Sequence, residues 1–157
     1  NLHDMTVLEL RIPPLLLVVV AAIAMWLAAR LAPSLTIAFP APRVLAVVLL
    51  LAGVFISVAG VMAFRKAHTT VDPTKPEKST SLVASGIYRH TRNPMYVGFL
   101  MVLAAWSVYL SNLMALAALP AFVVYMNRFQ IQPEERALQA RFGTAFTEYK
   151  QAVRRWV

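Results

Sequence analysis

The sequence predicts an all-α integral membrane protein with four transmembrane helices. Hydrophobic residues make up 59% of the 157 residues, and the mean hydropathy of +0.63 lies above the range of soluble domains. The apolar residues are concentrated in four runs, at 12–32, 44–64, 94–110 and 113–130. A chain of this length has room for one domain, so we expect a single membrane domain over residues 1–157.

The first two predicted helices form an N-terminal pair over residues 12–64. Two consecutive prolines open the first run, where a helix tolerates proline because its first backbone amides lack partners. In the second run Gly53, Ser57 and Gly60 are spaced by four and three residues, so they share one helix face. We expect another helix to approach closely at that face.

Residues 65–93 are predicted to form a polar cytoplasmic loop, and residues 94–157 a helical hairpin followed by a tail. The loop is rich in Arg, Lys, His, Thr, Asp and Pro and has almost no apolar run. Ser111 and Asn112 predict a tight turn between the third and fourth helices. Pro120 predicts a kink in the fourth helix.

The tail after Pro133 has the pattern of an amphipathic surface helix pair. Its apolar residues recur at steps of three and four: Leu138, Phe142, Phe146, Tyr149 and Val153. We expect a break near Gly143. Glu134 and Glu135 lie in the opening turn, where acidic side chains favour the positive end of the helix dipole, so capping is the simplest alternative to a chemical role for them.

The distribution of charge predicts the orientation. Thirteen of the fifteen Lys and Arg residues lie in the termini and the large loop, and the two exceptions, Arg30 and Arg43, flank the first connection. By the positive-inside rule both termini and the loop are cytoplasmic. The net charge of +8 is then typical of contact with membrane lipids, and we expect no nucleic acid partner.

Two polar clusters flank the predicted hairpin at its cytoplasmic end, one at 86–98 and the other at 127–136. The tight turn makes them spatial neighbours. Arginine can bind a carboxylate through two parallel (bidentate) hydrogen bonds. Glutamate can accept a hydrogen bond from an ammonium or a ribose hydroxyl, and tyrosine can donate or accept one. The combination indicates a pocket for a charged, water-soluble ligand. The alternative is an interfacial belt that only ends the helices.

Three ordered motifs within residues 81–153 resemble those of a known superfamily. A Gly-Ile-Tyr segment at 86–88 is similar to its approach to the third helix. Residues 92–98, Arg-Asn-Pro-Met-Tyr-Val-Gly, resemble its Arg-His-Pro-x-Tyr-x-Gly motif, and Glu134-Glu135 followed by Phe142-Gly143 and Tyr149 resemble its C-terminal motif. The chain thus resembles the isoprenylcysteine carboxyl methyltransferase and phospholipid methyltransferase superfamily of membrane enzymes.

This resemblance implies a methyltransferase that uses S-adenosylmethionine, held between the last helices and the tail. It also implies a hydrophobic or lipid-like acceptor, carrying a carboxylate as in isoprenylcysteine or an amine as in a phospholipid. The implied cofactor-binding residues are Gly86, Tyr88, Asn93, Tyr96, Gly98, Glu134 and Glu135. Arg92 and Arg128 are implied near the reacting centre to orient an anionic acceptor, and Glu134 is the candidate base for an amine.

Asn93 is the main departure from the superfamily, which usually has histidine there. Asparagine forms hydrogen bonds but does not titrate, so a role that needs a protonatable imidazole does not carry over. We predict no metal site, because His3, His68 and His90 lack ligand spacing and the chain has no cysteine. A Gly-x-Gly-x-x-Gly loop is also absent from the sequence, which argues against a Rossmann-type methyltransferase.

Two other functions compete with methyl transfer. Membrane sterol reductases that use NADPH resemble the same tail, but their ten or so helices fit a 157-residue chain badly. A non-enzymatic membrane subunit would use the hairpin and tail for packing alone. The compact chain is typical of bacteria, so the expected location is a bacterial inner membrane with the active face in the cytosol.

Overall fold

The computed structural model describes residues 9–69 and 75–157, and over these residues the protein is helical. The one extended pairing among them is an isolated bridge between Thr36 and Asn112. This confirms the predicted all-α class for the described part of the chain. His3 and the segment 70–74 of the predicted loop lie outside the described residues.

Four apolar helices occupy the predicted positions. They are α1 (Pro14–Leu31), α2 (Pro42–Lys66), α3 (Pro94–Leu110) and a long helix over Leu113–Phe142. Helices α1, α2 and the long helix are long and apolar enough to cross a membrane, whereas α3 is apolar but has only 17 residues. The protein is therefore an integral membrane protein with three candidate spans, and the predicted fourth span at α3 stays a prediction.

The sequence predicted that the fourth helix ends near residue 130, but the helix continues beyond it. It consists of α4 (Leu113–Tyr125), a π-helical segment (Met126–Ile131) and α5 (Gln132–Phe142). Pro133 has no backbone N–H, which would leave the carbonyl of Phe129 without its helical donor. The backbone N–H of Leu10 donates to that carbonyl at 3.1 Å. The helix continues through Pro133 because a neighbouring segment supplies the missing hydrogen bond.

Helix α5 ends at the predicted break. Gly143 has φ +52° and ψ −121°, a conformation that only glycine adopts without strain. The short helix α6 (Thr144–Ala152) follows, and it buries Phe146 and Tyr149. The predicted amphipathic pair is therefore present, but its first member is the end of the long helix rather than a separate element.

Helices α2 and α3 pack antiparallel and make the most extensive contact in the molecule. A Cβ atom at Gly53 would lie 2.7 Å from the carbonyl oxygen of Gly98, and one at Gly60 would lie 2.9 Å from Met95 Cγ. A Cβ at Gly98 would collide with Ser57 Oγ. The prediction of a close helix approach at the small-residue face is confirmed.

Helix α1 packs against α3 and α4 rather than against its sequence neighbour α2. Its buried residues Val18 and Met25 share a core with Leu103, Ala115 and Phe122. At one end of this bundle the side chain of Asn112 accepts from the N–H of Met114 at 2.9 Å, and its Nδ2 donates to Ala32 O at 2.8 Å. The predicted turn between α3 and α4 therefore also fixes the end of α1.

Candidate functional site

The polar segment before α3 folds against α6 at the end of the bundle where α2 ends and α3 begins. Val83, Tyr88, Phe146 and Tyr149 form a buried cluster there. The hydroxyl of Tyr149 donates to the carbonyl of Tyr88 at 2.8 Å. Burial raises the pKa of both tyrosines, so both phenols stay protonated and the Tyr149 hydroxyl remains a donor. This cluster encloses a pocket on the side that faces α2, α3 and α5.

The pocket is narrow, with a cavity volume of about 40 Å³. This is below the roughly 300 to 1,000 Å³ of small-molecule sites, so a cofactor would need its walls to move apart. Its wall combines a polar and an apolar side. The polar residues are Ser79, Ser81, Tyr88, Arg92, Asn93, Tyr96, Glu134, Glu135 and Tyr149; the apolar ones are Phe64, Leu82, Val83, Met95, Ile131, Leu138 and Phe146. Such a wall suits a ligand with one charged and one apolar part.

Tyr96 and Glu134 connect α3 to α5 inside this pocket. The Tyr96 hydroxyl donates to Glu134 Oε2 at 3.1 Å, and the tyrosine is only 2% exposed. The two polar clusters predicted to meet across the hairpin do meet at this contact. The arrangement holds one carboxylate oxygen of Glu134 in place and leaves the other without a hydrogen bond to the described residues.

Glu135 lies between two arginines. Arg92 Nη2 donates to its Oε1 at 2.8 Å, while Arg155 Nε and Nη2 donate to Oε1 and Oε2 at 3.1 and 2.7 Å. The side chains of Glu135 and Arg92 are 15% and 12% exposed. Glu135 and the two arginines therefore form a partly buried ionic cluster, which is more than a capping glutamate would need.

Arg92 is also held by the last turn of α6 and the residue that follows it. Its Nη1 donates to the backbone carbonyls of Lys150 and Val153. Its Nε is buried and has no hydrogen-bond partner within the described residues. A buried guanidinium N–H without an acceptor is costly, so this atom is a place where a ligand oxygen would be stabilising.

Residues 153–157 lie across the start of α3 and the π-helical segment. The backbone N–H of Arg92 donates to Arg154 O at 2.9 Å, Asn93 Nδ2 donates to Arg155 O at 2.8 Å, and Trp156 Nε1 donates to Asn127 Oδ1 at 3.0 Å. Arg155 and Trp156 were missed from sequence. In the sequence these residues belong to an Arg-Arg-Trp segment at 154–156. The positive-inside rule already explained its two arginines, so the segment did not point to the site.

Three of the predicted site residues are not brought to the pocket. Gly86 has φ +61° at the start of a 3₁₀ turn (Gly86–Arg89) and does not line it. Gly98 lies in the α2–α3 contact, where packing explains it. Arg128 forms an ion pair with Glu9 at 2.7 Å. Tyr88, Arg92, Asn93, Tyr96, Glu134 and Glu135 all line the pocket.

The histidines in the described part of the chain lie outside the pocket. His68 and His90 are exposed. In the ranges 9–69 and 75–157, no group of three His, Cys, Asp or Glu side chains is placed to hold a metal ion. The acidic residues of the pocket are therefore arranged around arginines and a tyrosine.

Comparisons with known proteins cover most of the residues that build this pocket. A family model described as phospholipid methyltransferase matches residues 42–145, about two thirds of the chain. Protein-S-isoprenylcysteine O-methyltransferase A of Arabidopsis thaliana is 30% identical over 109 residues, which are 68% of this chain and 54% of that protein. This chain thus matches about half the length of the plant protein.

A second relative is shorter. An uncharacterized protein of Haemophilus influenzae is 41% identical over 63 residues, 40% of this chain and 100% of that protein. No solved structure matches the chain. The family match runs from the first residue of α2 through α3 and the long helix to the start of α6, and on this evidence the chain belongs to the phospholipid methyltransferase family.

Proposed function

We propose that this protein transfers a methyl group from S-adenosylmethionine to a hydrophobic or lipid-like acceptor at the cytoplasmic face of a membrane. One observation carries the proposal. Arg92, Tyr96, Glu134 and Glu135, which come from two separate stretches of the sequence, converge in a single pocket that apolar side chains also line. The family match and the similarity to an isoprenylcysteine O-methyltransferase support methyl transfer as the chemistry.

The residues present fit a cofactor with charged and polar groups. The unpartnered Nε of Arg92 would be satisfied by a ligand carboxylate, and the free carboxylate oxygen of Glu134 could accept from an ammonium or a hydroxyl. When bound, S-adenosylmethionine supplies an electrophilic methyl group on a sulfonium centre. Residues of this chain then contribute by positioning and by exclusion of water.

Arg92 is the better of the two arginines for orienting an anionic acceptor. It is fixed from three sides, by Glu135, Lys150 O and Val153 O, and it lines the pocket. Arg128 is paired with Glu9 outside it. A preorganised guanidinium costs little further ordering when it binds a carboxylate, and this favours Arg92 as the group that aligns a carboxylate acceptor.

Glu134 is the candidate base where the acceptor is an amine. An ammonium must lose a proton before its nitrogen can attack a methyl group, and a carboxylate within hydrogen-bond reach can take that proton. Tyr96 orients Glu134 through its hydroxyl. The two acceptor classes therefore assign the central role to different residues, Arg92 for a carboxylate and Glu134 for an amine.

Ligand titration of the purified protein tests the proposal. We expect saturable binding of S-adenosylmethionine, seen by calorimetry in detergent or nanodiscs, and no binding of NADPH. Binding of NADPH alone would support the reductase alternative, and binding of neither would overturn an enzyme function of this pocket. Incubation with radiolabelled S-adenosylmethionine and a lipid extract, followed by chromatography, would then identify the acceptor class.

A further inference from the structure

The end of the bundle opposite the pocket carries two exposed arginines beside aromatic rings. Arg30 at the end of α1 and Arg43 at the start of α2 line an open cleft of about 610 Å³. The Arg30 guanidinium lies 5.3 Å from the ring centre of Trp26, and the rings of Trp106 and Tyr109 stack with their centres 5.5 Å apart. Aromatic rings with arginines are typical of the membrane interface.

An apolar groove continues from this cleft into the membrane-spanning region. The two share Arg43, Trp106 and Tyr109. The groove has a volume of about 550 Å³. Its other walls come from α1, α2 and α3, and they include Val18, Val47, Leu50 and Leu103. It forms because α1 packs on α3 and α4 and thereby leaves a gap beside α2.

The groove is separate from the candidate methyl-transfer pocket. Between the two, α2 and α3 touch at Gly53 and Gly98, where no side chain separates the backbones. Along α2 the groove ends at Leu50 and the pocket begins at Phe64, a distance of roughly 20 Å at the rise of an α-helix. A ligand in the groove would therefore not reach Arg92 or Glu134.

The charge of the cleft has no counterpart within the described chain. The acidic side chains that the structure describes are Glu9, Glu134, Glu135 and Glu148, and all of them belong to the pocket end and its tail. The sequence has no acidic residue between Glu9 and Asp72. Two cations at a membrane interface, next to an apolar groove, are complementary to an anionic head group attached to a hydrocarbon chain.

We propose that the groove and the cleft together bind one anionic phospholipid. An acyl chain occupies the groove between α1, α2 and α3, and the phosphate lies at Arg30 and Arg43. The lipid fills the space that α1 leaves beside α2. This site is independent of the proposed methyl transfer, because it shares no residue with the pocket.

Lipid retention tests the head-group contact. The protein is placed in nanodiscs of equal phosphatidylglycerol and phosphatidylcholine, released, and the retained lipid is identified by native mass spectrometry. Arg30→Gln with Arg43→Gln should lower the preference for phosphatidylglycerol about tenfold, since each interfacial arginine contributes to binding an anionic lipid. The matched control, Arg65→Gln with Lys66→Gln, removes two exposed charges from the other end of α2 and should retain the preference.

Equal loss in both double variants would mean a general charge effect and would overturn the site, as would no loss in either.

A second pair of variants tests the groove. Val47→Trp fills it and should reduce retention of phospholipid several-fold, whereas Val48→Trp, at the next position and outside the groove, should not. Unchanged retention in Val47→Trp would contradict the proposal. Thermal unfolding in detergent serves as the folding control throughout, and the melting temperature should be the same in all four variants.

Discussion

Glu135 shows how one side chain can have both a structural and a chemical role. From sequence, the simplest interpretation was that Glu135 caps the amino terminus of a helix. In the structure the long helix runs through Pro133, so Glu135 lies inside a helix and has no amino terminus to cap. In the structure it also receives hydrogen bonds from Arg92 and Arg155 and so joins α3, α5 and the C-terminal segment. A capping glutamate would need neither arginine.

Replacing Glu135 with Gln should therefore affect binding and folding together. The amide keeps the size but removes the charge that compensates two arginines, so we expect S-adenosylmethionine affinity to fall about tenfold or more. The free energy of unfolding should fall by about 1 to 3 kcal/mol. Calorimetry and thermal unfolding measure the two effects. The control is Glu148→Gln, which changes an exposed glutamate of α6 and should alter neither. Unchanged affinity in Glu135→Gln would limit this residue to the structural role of joining α3, α5 and the C-terminal segment.

Tyr96→Phe isolates the hydroxyl that orients Glu134. The ring remains buried against its neighbours, so the free energy of unfolding should fall by only about 0.5 to 1.5 kcal/mol. If Glu134 takes part in the reaction, kcat should fall much more than this loss implies, because the carboxylate is no longer held. Methyl transfer and thermal unfolding would be measured side by side. Tyr109→Phe is the control, since Tyr109 is an exposed tyrosine on the same helix. Equal effects in the two variants would argue against the orienting role.

At the scale of the elements, the α2–α3 contact fixes where the pocket is built. Met95 and Tyr96 reach the pocket from α3, and Phe64 reaches it from α2. The register between the two helices is set where Gly53 and Gly98 allow the backbones to meet. Gly98 therefore influences the pocket through packing, although it does not line it.

Gly98→Ala should destabilise the protein. The added methyl group would collide with Ser57 Oγ and with the carbonyl of Gly53, and a backbone cannot move aside cheaply, so we expect a loss of about 1 to 3 kcal/mol. Val54→Ile also adds one carbon beside this contact, but at a side chain that is 47% exposed, and it should have little effect. Thermal stability in detergent measures both. Equal stability of Gly98→Ala and the unmodified protein would contradict the close contact.

Most of the elements could be predicted, because hydropathy, proline positions and small-residue spacing are local signals. The continuation of the helix through Pro133 could not be predicted, because the Leu10 N–H that donates to the Phe129 carbonyl comes from the other end of the chain. The same reason explains Arg155. Arg155 reaches Glu135 because the turn at Gly143 directs α6 and the C-terminal segment back towards α5. No local sequence pattern predicts this contact. Conversely, Gly98 and Arg128 match family motifs, yet motif position does not tell whether a residue contacts ligand or helix.

At the scale of the whole molecule, the polar pocket lies at one end of the bundle, and the two arginines without acidic neighbours among the described residues lie at the other. The pocket end holds the described acidic side chains, of which Glu9 and Glu135 are paired with arginines. The other end holds Arg30 and Arg43 with aromatic rings. The positive-inside rule counts only Lys and Arg, of which thirteen lie at the pocket end and two at the other, so the predicted orientation also places the pocket in the cytosol.

Cysteine labelling tests this arrangement directly, because the chain contains no cysteine of its own. The structure places the segment at Thr36 beside Asn112, since the two residues form a bridge and Ile37 donates to Ser111 O at 2.8 Å. Ser34→Cys and Ser111→Cys should therefore react with a membrane-impermeant maleimide from the same side. Thr80→Cys, in the polar segment at the pocket end, should react only from the other side. In whole cells the first two should label and the third should not, and inverted vesicles should give the opposite result.

Two outcomes would contradict this topology. Of the apolar helices, only α2 lies between Ser34 and Thr80, so labelling of Ser34→Cys and Thr80→Cys from the same side would show that α2 does not cross the membrane. Labelling of Ser34→Cys and Ser111→Cys from different sides would show that the 17-residue α3 does not span the bilayer.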